Sequence, residues 1–247
     1  MPVLARAGFR AVAPWQRGYA PTAIPADGQY SAGARAADVN ALHEALGGDE
    51  RAVLIGHDFG ASSAYGAAAF APQRWSKLVT LAVPPPASLA TKRTLYDQLR
   101  RSWYMYFFQR PNAEAVVSAD GYAFIDRLWR DWSPHYDAST DLPHAKDALA
   151  GPHLGAALGY YRAMFGAIAP DPKYAAEEAA AMQPPGQSAL YLHGRDDGCL
   201  GIDLMDDVEN YLPAPGSRVE RIAGAGHFVH LEAPERVNAA IAAFLAA

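Results

Sequence analysis

The sequence lacks the features that would point to a disulfide-bonded, membrane-spanning or nucleic-acid-binding protein. Its one cysteine is Cys199, so no disulfide can form within the chain. Only 19% of its residues are charged, and the net charge of -5 argues against nucleic acid as a partner. No apolar run approaches the length of a membrane span, and Arg6 and Arg10 interrupt the N-terminal region, which argues against a signal peptide. We therefore predict a cytoplasmic protein with no membrane partner.

The sequence also lacks internal repeats, low-complexity segments and any GxGxxG motif, so no cofactor is expected. A metal site is not expected either, because His135, His144 and His153 do not have the spacing of metal ligands. What the chain does have is length and apolar content. With 247 residues, 51% of them hydrophobic, it can bury a sizeable core in one α/β domain or in a core with an inserted subdomain.

The segment around Asp58 has the pattern of a reactive residue on a sharp turn. An apolar run at Ala52–Ile55 predicts a short buried strand, and small residues at Ala61–Ala71 predict a helix. The turn between them is bounded by Gly56 and Gly60, where a Cβ is expected to clash with the strained backbone. Strand, turn and helix together predict a nucleophile elbow in which a carboxylate takes the place of serine.

Residues 56–61, Gly-His-Asp-Phe-Gly-Ala, resemble the elbow of the α/β-hydrolase fold family, in the branch of epoxide hydrolases and haloalkane dehalogenases. The fold that this resemblance implies is a mostly parallel sheet flanked by helices, with a helical cap inserted after the sixth strand. Pro14–Thr22 resembles the Arg-Gly-Tyr loop that follows the family's fourth strand. The resemblance assigns residues 1–84 and 186–247 to the core and the aromatic-rich residues 85–185 to the cap.

The first three strands of the family have no counterpart in this sequence. Met1–Gly8 predicts the end of a helix, and Phe9–Ala13 predicts the fourth strand. The family's third strand lies between the fourth and the fifth, so its loss would leave buried backbone groups unpaired. We therefore expect Met1 to be an internal methionine of a longer natural protein, and this chain to be an N-terminally shortened form.

Hydrophobic periodicity and turn residues predict the other elements. The predicted helices are Ser31–Leu46, Thr91–Gln109, Asp120–Trp132, Leu154–Ile168, Leu200–Tyr211 and Pro234–Ala247, and the predicted strands are Leu78–Val83, Ser188–His193 and Arg218–Ile222.

A carboxylate nucleophile suits attack on a saturated carbon because it is already ionised at neutral pH. The ester that it forms must then be hydrolysed by water, which needs a base. His227 lies where the family has its catalytic histidine, and a carboxylate must orient its ring. The family's Gly-x-x-Asp pattern selects Asp197, with Asp196 as the alternative. Pro84–Ser88 holds no carboxylate, so the family variant with its acid after the sixth strand is set aside.

Epoxide hydrolases use two tyrosines of the cap to donate hydrogen bonds to the epoxide oxygen, and the resemblance places these at Tyr104 and Tyr161. The backbone N–H of Phe59 is expected to form half of the oxyanion hole. Trp103 and Phe108 are expected to bind the small hydrophobic substrate.

Three functions stay open at this point. The resemblance favours opening of epoxides to diols through an aspartyl ester. The first alternative is a haloalkane or haloacid dehalogenase with the same triad, although Phe59 stands where such enzymes often have tryptophan, so that Trp103, Trp129 or Trp132 would have to bind the halide. The second is an inactive truncated fragment. The sequence does not give the substrate's size or stereochemistry, and a homodimer is left open.

Overall fold

The computed structural model describes residues 2–247, and its strands form one parallel sheet in the order β1-β2-β3-β4. The strands are β1 Val53–His57, β2 Lys77–Leu81, β3 Ser188–Gly194 and β4 Arg218–Ile222. Parallel neighbours cannot be joined by tight turns, so each connection runs over a face of the sheet. The longest connection, between β2 and β3, holds most of the aromatic-rich segment.

The helices within residues 2–247 are mostly short, and none combines the length and the apolar character needed to cross a bilayer. In chain order they are α1 Pro2–Arg6, α2 Ala32–Ala45, α3 Phe59–Phe70, α4 Pro86–Lys92, α5 Tyr96–Arg101, α6 Trp103–Phe107, α7 Ala113–Trp132, α8 Leu142–Ala148, α9 His153–Met164, α10 Ala175–Ala180, α11 Val229–Glu232 and α12 Pro234–Ala246.

The strand register brings the carboxyl ends of the strands to one edge of the sheet. His57 lies opposite Leu81, Leu81 opposite Leu192, and Gly194 opposite Ile222. The loops that follow β1, β3 and β4 therefore open side by side, which is where parallel α/β sheets place their ligands. This edge carries the three residues that the sequence selects for chemistry.

Alternating side chains of β3 fill the two faces of the sheet, as the two-residue period of a strand requires. Tyr191 packs in the cluster that includes residues of α3, while Leu190 and Leu192 pack in the cluster that includes α12. All three are fully buried. Because both faces are covered, the middle of the strand, residues 189–192, is a continuous apolar run.

The predicted helix at Ser31–Leu46 is confirmed together with both of its ends. The hydroxyl of Ser31 accepts a hydrogen bond from the N–H of Ala34 at 3.3 Å, as an N-cap residue does. Gly47 has a φ of +68°, and the N–H of Gly48 donates to the carbonyl of His43 at 2.8 Å, which closes the C-terminus.

The predicted strand at Phe9–Ala13 is wrong, because this segment is irregular in the structure. A strand is held by the ladder of its neighbours, and the described sheet ends at β1, where Ile55 is 39% exposed. The segment packs elsewhere, and Arg10 donates to the carbonyl of Leu46 at 3.0 Å at the end of α2.

The predicted helix at Thr91–Gln109 is broken into α4, α5 and α6. Leu95 is extended, with φ -59° and ψ 140°, and Ser102 leaves helical geometry at ψ 9°. Tertiary contacts account for the second break, since Gln98 donates to the hydroxyl of Ser102 at 2.8 Å and to the carbonyl of Cys199 at 2.9 Å. Apolar periodicity cannot detect such contacts, so the sequence predicts one helix where the structure has three.

Two further predicted helices contain left-handed residues. In α7 the residues Asp120, Gly121 and Tyr122 have φ values of 49°, 63° and 64° and divide the helix in two, so that only its second part, after Tyr122, matches the predicted helix. The predicted helix Leu200–Tyr211 is a pair of 3₁₀ turns separated by Asp207, whose φ is 62°.

The last helix between β2 and β3, α10, packs against α2 and α3 rather than over the carboxyl edge of the sheet. The N–H of Gly33 donates to Glu178 Oε2 at 2.5 Å. A Cβ at Gly66 of α3 would lie 3.3 Å from the Cβ of Ala181, so the two segments approach closely. The helices from α4 to α9 supply the aromatic side chains that cover the site.

Candidate active site

Asp58 occupies the bend between β1 and α3 in a conformation that non-glycine residues rarely adopt, with φ 51° and ψ -123°. Its carbonyl accepts from the N–H groups of Ala61 and Ser62 at 2.9 and 3.1 Å, and its N–H donates to Leu81 on β2 at 3.3 Å. A strained residue of this kind costs about 1–3 kcal/mol and is held by its surroundings, typically at functional sites. The bend therefore has the backbone geometry of a nucleophile elbow.

The two glycines that flank this bend differ in what they allow. A Cβ at Gly56 would lie 2.3 Å from the carbonyl oxygen of Gly60 and 2.7 Å from the N–H nitrogen of Ala61, which the backbone cannot accommodate. A Cβ at Gly60 would meet nothing nearer than the side chain of Gln16 at 3.8 Å among the residues described. The predicted clash is thus confirmed at Gly56 and wrong at Gly60, because the close approach is seen from one side only.

In the structure, the side chains of Asp58, His227 and Asp197 are joined by hydrogen bonds, with His227 in the middle. His227 Nε2 lies 3.0 Å from Asp58 Oδ2, and its Nδ1 lies 3.0 Å from Asp197 Oδ2. His227 and Asp197 are buried, while a third of the Asp58 side chain stays accessible. A nucleophile needs this access, and an imidazole between two carboxylates has both of its nitrogens occupied.

The second carboxylate oxygen of Asp197, Oδ1, is held by the loop that follows this residue. Its Oδ1 accepts from the N–H groups of Cys199 and Leu200 at 2.7 and 2.8 Å, which leaves Oδ2 for the imidazole. Asp196, the alternative acid, has an exposed side chain. The geometry therefore selects Asp197.

The charges of Asp58 and His227 are coupled. Burial alone raises the pKa of Asp58, but the hydrogen bond from His227 and the charge of that ring outweigh burial and hold the pKa below its usual value. Burial alone lowers the pKa of His227, but Cys199 together with the carboxylates of Asp197 and Asp58 outweighs it and raises this pKa well above its usual value. The free site thus favours an ionised Asp58 beside a protonated imidazole.

His57, the residue before the nucleophile, contacts the loop of His227. Its Nε2 lies 2.9 Å from the carbonyl oxygen of His227, and since a carbonyl can only accept, Nε2 carries the proton. Burial and the nearby charge of His227 lower the pKa of His57 to about 4, which keeps its ring neutral at pH 7. His57 therefore links the elbow to the loop of His227.

The end of α7 connects the loops of the acid and the histidine. The carbonyl of Trp132 accepts from the N–H of Gly198 at 3.0 Å and from the N–H of His227 at 3.1 Å. Next to it, Ser133 donates to Glu232 at 2.7 Å, and Glu232 also accepts from the N–H of Gly226 at 2.9 Å. The aromatic-rich segment is therefore part of the framework that positions the triad.

The two predicted tyrosines, Tyr104 on α6 and Tyr161 on α9, lie close together within this segment. The rings of Tyr104 and Tyr161 are 5.8 Å apart, and each packs against Phe108, at 5.5 and 5.0 Å. Burial raises the pKa of each hydroxyl well above its usual value, and the charge of Asp58 acts on both in the same direction. Both are therefore neutral hydrogen-bond donors at pH 7.

The structure separates the two predicted substrate-binding residues. Phe108 is 2% exposed and forms part of the wall beside the tyrosines. Trp103 is 48% exposed, and its ring packs against Phe107 and Phe124 instead. Successive residues of a helix point in different directions, so the neighbour of Tyr104 on α6 is turned away from it. The indole near the triad belongs to Trp132, whose ring is 5.6 Å from that of His227.

Phe59 begins α3, and its ring packs against two tyrosines of α9. It lies 5.1 Å from the ring of Tyr161 and 5.0 Å from that of Tyr160. Its N–H belongs to the first turn of the helix, where amide donors have no partner within the helix. The same N–H contributes to the lowered pKa of Asp58, which puts it beside the carboxylate.

Asp197, Cys199 and His227 have side-chain donor atoms within 4.8 Å of one another, a spacing that a metal ion could use. Each of the three already has another explanation. Asp197 and His227 are hydrogen-bonded to each other, and Cys199 Sγ lies 3.3 Å from the hydroxyl of Tyr104. The closeness of Asp197, Cys199 and His227 is therefore explained by their hydrogen bonds, which include the contact of Cys199 with Tyr104.

Sequence reasoning missed several residues that support the site. Arg35 is 5% exposed, lies over the ring of Phe59 at 4.9 Å and donates to the Phe59 carbonyl at 3.0 Å. Gln98 donates to the carbonyl of Cys199 in the acid loop, and Glu232 joins the histidine loop to Ser133 by accepting from Gly226 and Ser133. The only sequence signal was an arginine among the small residues of α2; nothing local marks the other two.

Comparison with known proteins finds relatives that match along most of the chain. Epoxide hydrolase 1 of Caenorhabditis elegans is 29% identical over 96% of this chain, which spans 58% of the relative's length. The AB hydrolase superfamily protein YfhM of Bacillus subtilis is 29% identical over 98% of this chain and 82% of its own. The solved structure of Epoxide Hydrolase A from Mycobacterium thermoresistibile superposes with a TM-score of 0.77 at 27% identity, covering 99% of this chain and 85% of the other.

The family whose pattern matches residues 1–234 is described as the alpha/beta hydrolase fold. The match covers the elbow, the sheet and the loops of the acid and the histidine. The resemblance seen in residues 56–61 therefore extends over nearly the whole sequence, and the chain belongs to the α/β hydrolase fold family.

Proposed function

We propose that this chain opens epoxides to diols through an ester between the substrate and Asp58. The observation that carries the proposal is a pair of hydrogen bonds, each 3.0 Å long, that join His227 to Asp58 and to Asp197. Asp58 itself occupies a strained and accessible bend. The substrate class is suggested by relatives that are named epoxide hydrolases.

In the first half of the reaction, a carboxylate oxygen of Asp58 attacks a ring carbon and the carbon–oxygen bond of the epoxide breaks. The oxygen that leaves carries a developing negative charge, which needs a donor. Tyr104 and Tyr161 supply neutral hydroxyls, and one of them gives up its proton to this oxygen. The product is a hydroxy ester of Asp58.

In the second half, His227 takes a proton from water, which attacks the ester at the carboxyl carbon of Asp58. Ester formation removes the negative charge of Asp58, one of the two carboxylates that raise the pKa of His227. The pKa of the imidazole therefore falls at the step where a neutral base is needed. Asp197 keeps the ring oriented, and the N–H of Phe59 stabilises the oxyanion of the tetrahedral intermediate.

The walls of the site favour a small hydrophobic substrate. Phe59, Phe108 and Trp132 present aromatic rings around the triad and the tyrosines. Such walls bury apolar surface of the substrate, while the polar groups act only on its ring oxygen and the attacked carbon.

A single turnover in water enriched in heavy oxygen tests the ester directly. Water attacks the carboxyl carbon of Asp58, so one heavy oxygen atom is expected in the Asp58 side chain, detectable by mass spectrometry of the peptide. The diol formed in that turnover is expected to carry none. Label in the diol alone would mean that water attacks the epoxide directly, which rules out the covalent mechanism. Asp58→Asn is the control that should show neither turnover nor label.

One observation favours a dehalogenase as the second candidate. The indole of Trp132 lies 5.2 Å from the ring of Tyr104 and 5.6 Å from that of His227, so an N–H donor for a halide is near the site. In the first half, a carboxylate oxygen of Asp58 would then attack the carbon that bears the halogen, and halide would leave as the aspartyl ester forms. Halide release from haloalkanes or haloacids without diol formation from epoxides would favour this alternative.

A further inference from the structure

Cys199, the chain's one cysteine, is adjacent to the proposed chemistry but has no part in the mechanism above. Its side chain is 3% exposed, and its Sγ lies 3.3 Å from the hydroxyl oxygen of Tyr104. The thiol thus contacts the hydroxyl that is to act on the substrate.

The position of this thiol is fixed by its own backbone. The N–H of Cys199 donates to Asp197 Oδ1 at 2.7 Å, and its carbonyl accepts from Gln98 Nε2 at 2.9 Å. Gln98 in turn accepts from the N–H of Gly201 at 3.0 Å, so that one amide side chain holds both ends of the segment. These bonds fix the backbone and hence the Cβ of Cys199, from which Sγ reaches the hydroxyl of Tyr104.

Both partners keep their protons at neutral pH. Burial raises the pKa of the Cys199 thiol to about 12, and burial also raises the pKa of Tyr104 well above its usual value. The pair therefore holds two hydrogens and can share only one of them at a time. If S–H donates to the tyrosine oxygen, the O–H of Tyr104 is free to point at the substrate.

We propose that Cys199 is a positioning residue for Tyr104: its S–H donates to the tyrosine oxygen and so directs the tyrosine O–H to the epoxide oxygen. The inference rests on the proposed function. As Asp58 bonds to carbon and the ring carbon–oxygen bond breaks, the proton of Tyr104 passes to the oxygen that leaves. The S–H hydrogen bond then stabilises the phenolate. Hydrolysis of the ester by water supplies the proton that restores Tyr104.

The test compares Cys199→Ala with Cys199→Ser in stopped-flow single turnovers, with styrene oxide and ring-substituted styrene oxides as probes. The alanine variant loses the donor, so alkylation is expected to slow about fivefold to tenfold, since the donated bond stabilises a forming charge. Serine retains a donor at this position and should restore most of that rate. Hydrolysis of the ester should be unchanged in both variants.

A merely structural role would not produce a dependence on the substrate. The defect of Cys199→Ala should shrink for epoxides whose electron-withdrawing groups stabilise the alkoxide, because these need less help from Tyr104. Ser88→Ala is the matched control for removing a small polar group, since Ser88 is buried and its Oγ has no hydrogen-bond partner among residues 2–247. Thermal unfolding verifies that each variant is folded.

The outcomes separate the inference from the function beneath it. Alkylation at the wild-type rate in a folded Cys199→Ala, with Asp58→Asn inactive, would overturn the role of Cys199 alone. A uniform defect over all substrates and both half-reactions, not restored by serine, would also overturn it. Turnover that survives Asp58→Asn would remove the proposed function and the inference together.

Discussion

His57 donates a hydrogen bond from Nε2 to the carbonyl oxygen of His227, at 2.9 Å across 170 positions of the chain. His57, which precedes the proposed nucleophile, thus contacts His227, the proposed base for hydrolysis of the ester. The rings of His57 and His227 are 4.9 Å apart, and the ring of His230 lies 4.6 Å from that of His57. The elbow and the histidine loop therefore act as one unit.

His57→Leu should weaken this unit. It leaves a buried carbonyl without its donor, which costs about 1–3 kcal/mol of the free energy of unfolding. Because the histidine is proposed to act on the ester, hydrolysis should slow more than alkylation. Urea denaturation and the two phases of a stopped-flow turnover measure these effects. His57→Gln, which retains an amide donor, is the control. Wild-type rates in the leucine variant would contradict the proposed link.

The adjacent residues Tyr160 and Tyr161 provide a matched pair. Tyr160 is 1% exposed and donates to the carbonyl of Arg17 at 2.7 Å, so Tyr160→Phe should lower the free energy of unfolding by about 1–3 kcal/mol. Tyr161 faces Tyr104 and Phe59, so Tyr161→Phe should leave stability almost unchanged and slow alkylation, by about tenfold to a hundredfold for one lost transition-state donor.

Denaturation and initial rates on both variants are the measurements. The opposite pattern, with activity lost in Tyr160→Phe and retained in Tyr161→Phe, would mean that the second tyrosine was assigned to the wrong residue.

Much of the catalytic edge was predictable because it depends on local signals. The bend at Asp58 and the loops of Asp197 and His227 each follow a strand that the sequence predicts, and the resemblance to the family selects Asp197 and His227 within their loops. Parallel strands bring their carboxyl ends to one edge, so these three distant residues are expected to meet there.

The rest depends on long-range contacts, which a local pattern does not contain. The breaks around Gln98 and at Asp207, the turn of Trp103 away from Tyr104, and the link through Trp132 arise where separate segments pack. The segment at Phe9–Ala13 has strand propensity, but a strand forms only beside a neighbour.

The two glycines of the elbow should differ in their response to alanine. Gly56→Ala puts a Cβ 2.3 Å from a backbone oxygen and should cost about 3 kcal/mol of the free energy of unfolding, or prevent folding. Gly60→Ala has room and lies within α3, where alanine is favoured over glycine by about 1 kcal/mol. Thermal and urea denaturation compare the two variants. Equal losses would show that the elbow is confined from both sides, as the sequence alone predicts.

The charge of Asp58 should control the titration of His227. The folded-state pKa of His227 is raised, so its contribution to stability is fully present below the unfolded-state pKa of about 6.5 and is lost as pH rises through the folded-state pKa. Asp58→Asn removes one of the two carboxylates that raise this pKa. The NMR titration midpoint of the His227 ring is therefore expected to move to lower pH, and stability should decline from a lower pH upward.

Asp196→Asn is the matched control, because it removes a carboxylate next to Asp197 whose side chain is exposed, and it should leave the midpoint unchanged. Ester formation neutralises Asp58 just as the asparagine does, so the pH at which ester hydrolysis is half-maximal should lie below the midpoint of the free wild-type enzyme. If Asp58→Asn left the His227 midpoint in place, the raised pKa would have to come from Cys199 and Asp197. Ester formation could then not convert the imidazole into the base that the second half of the reaction requires.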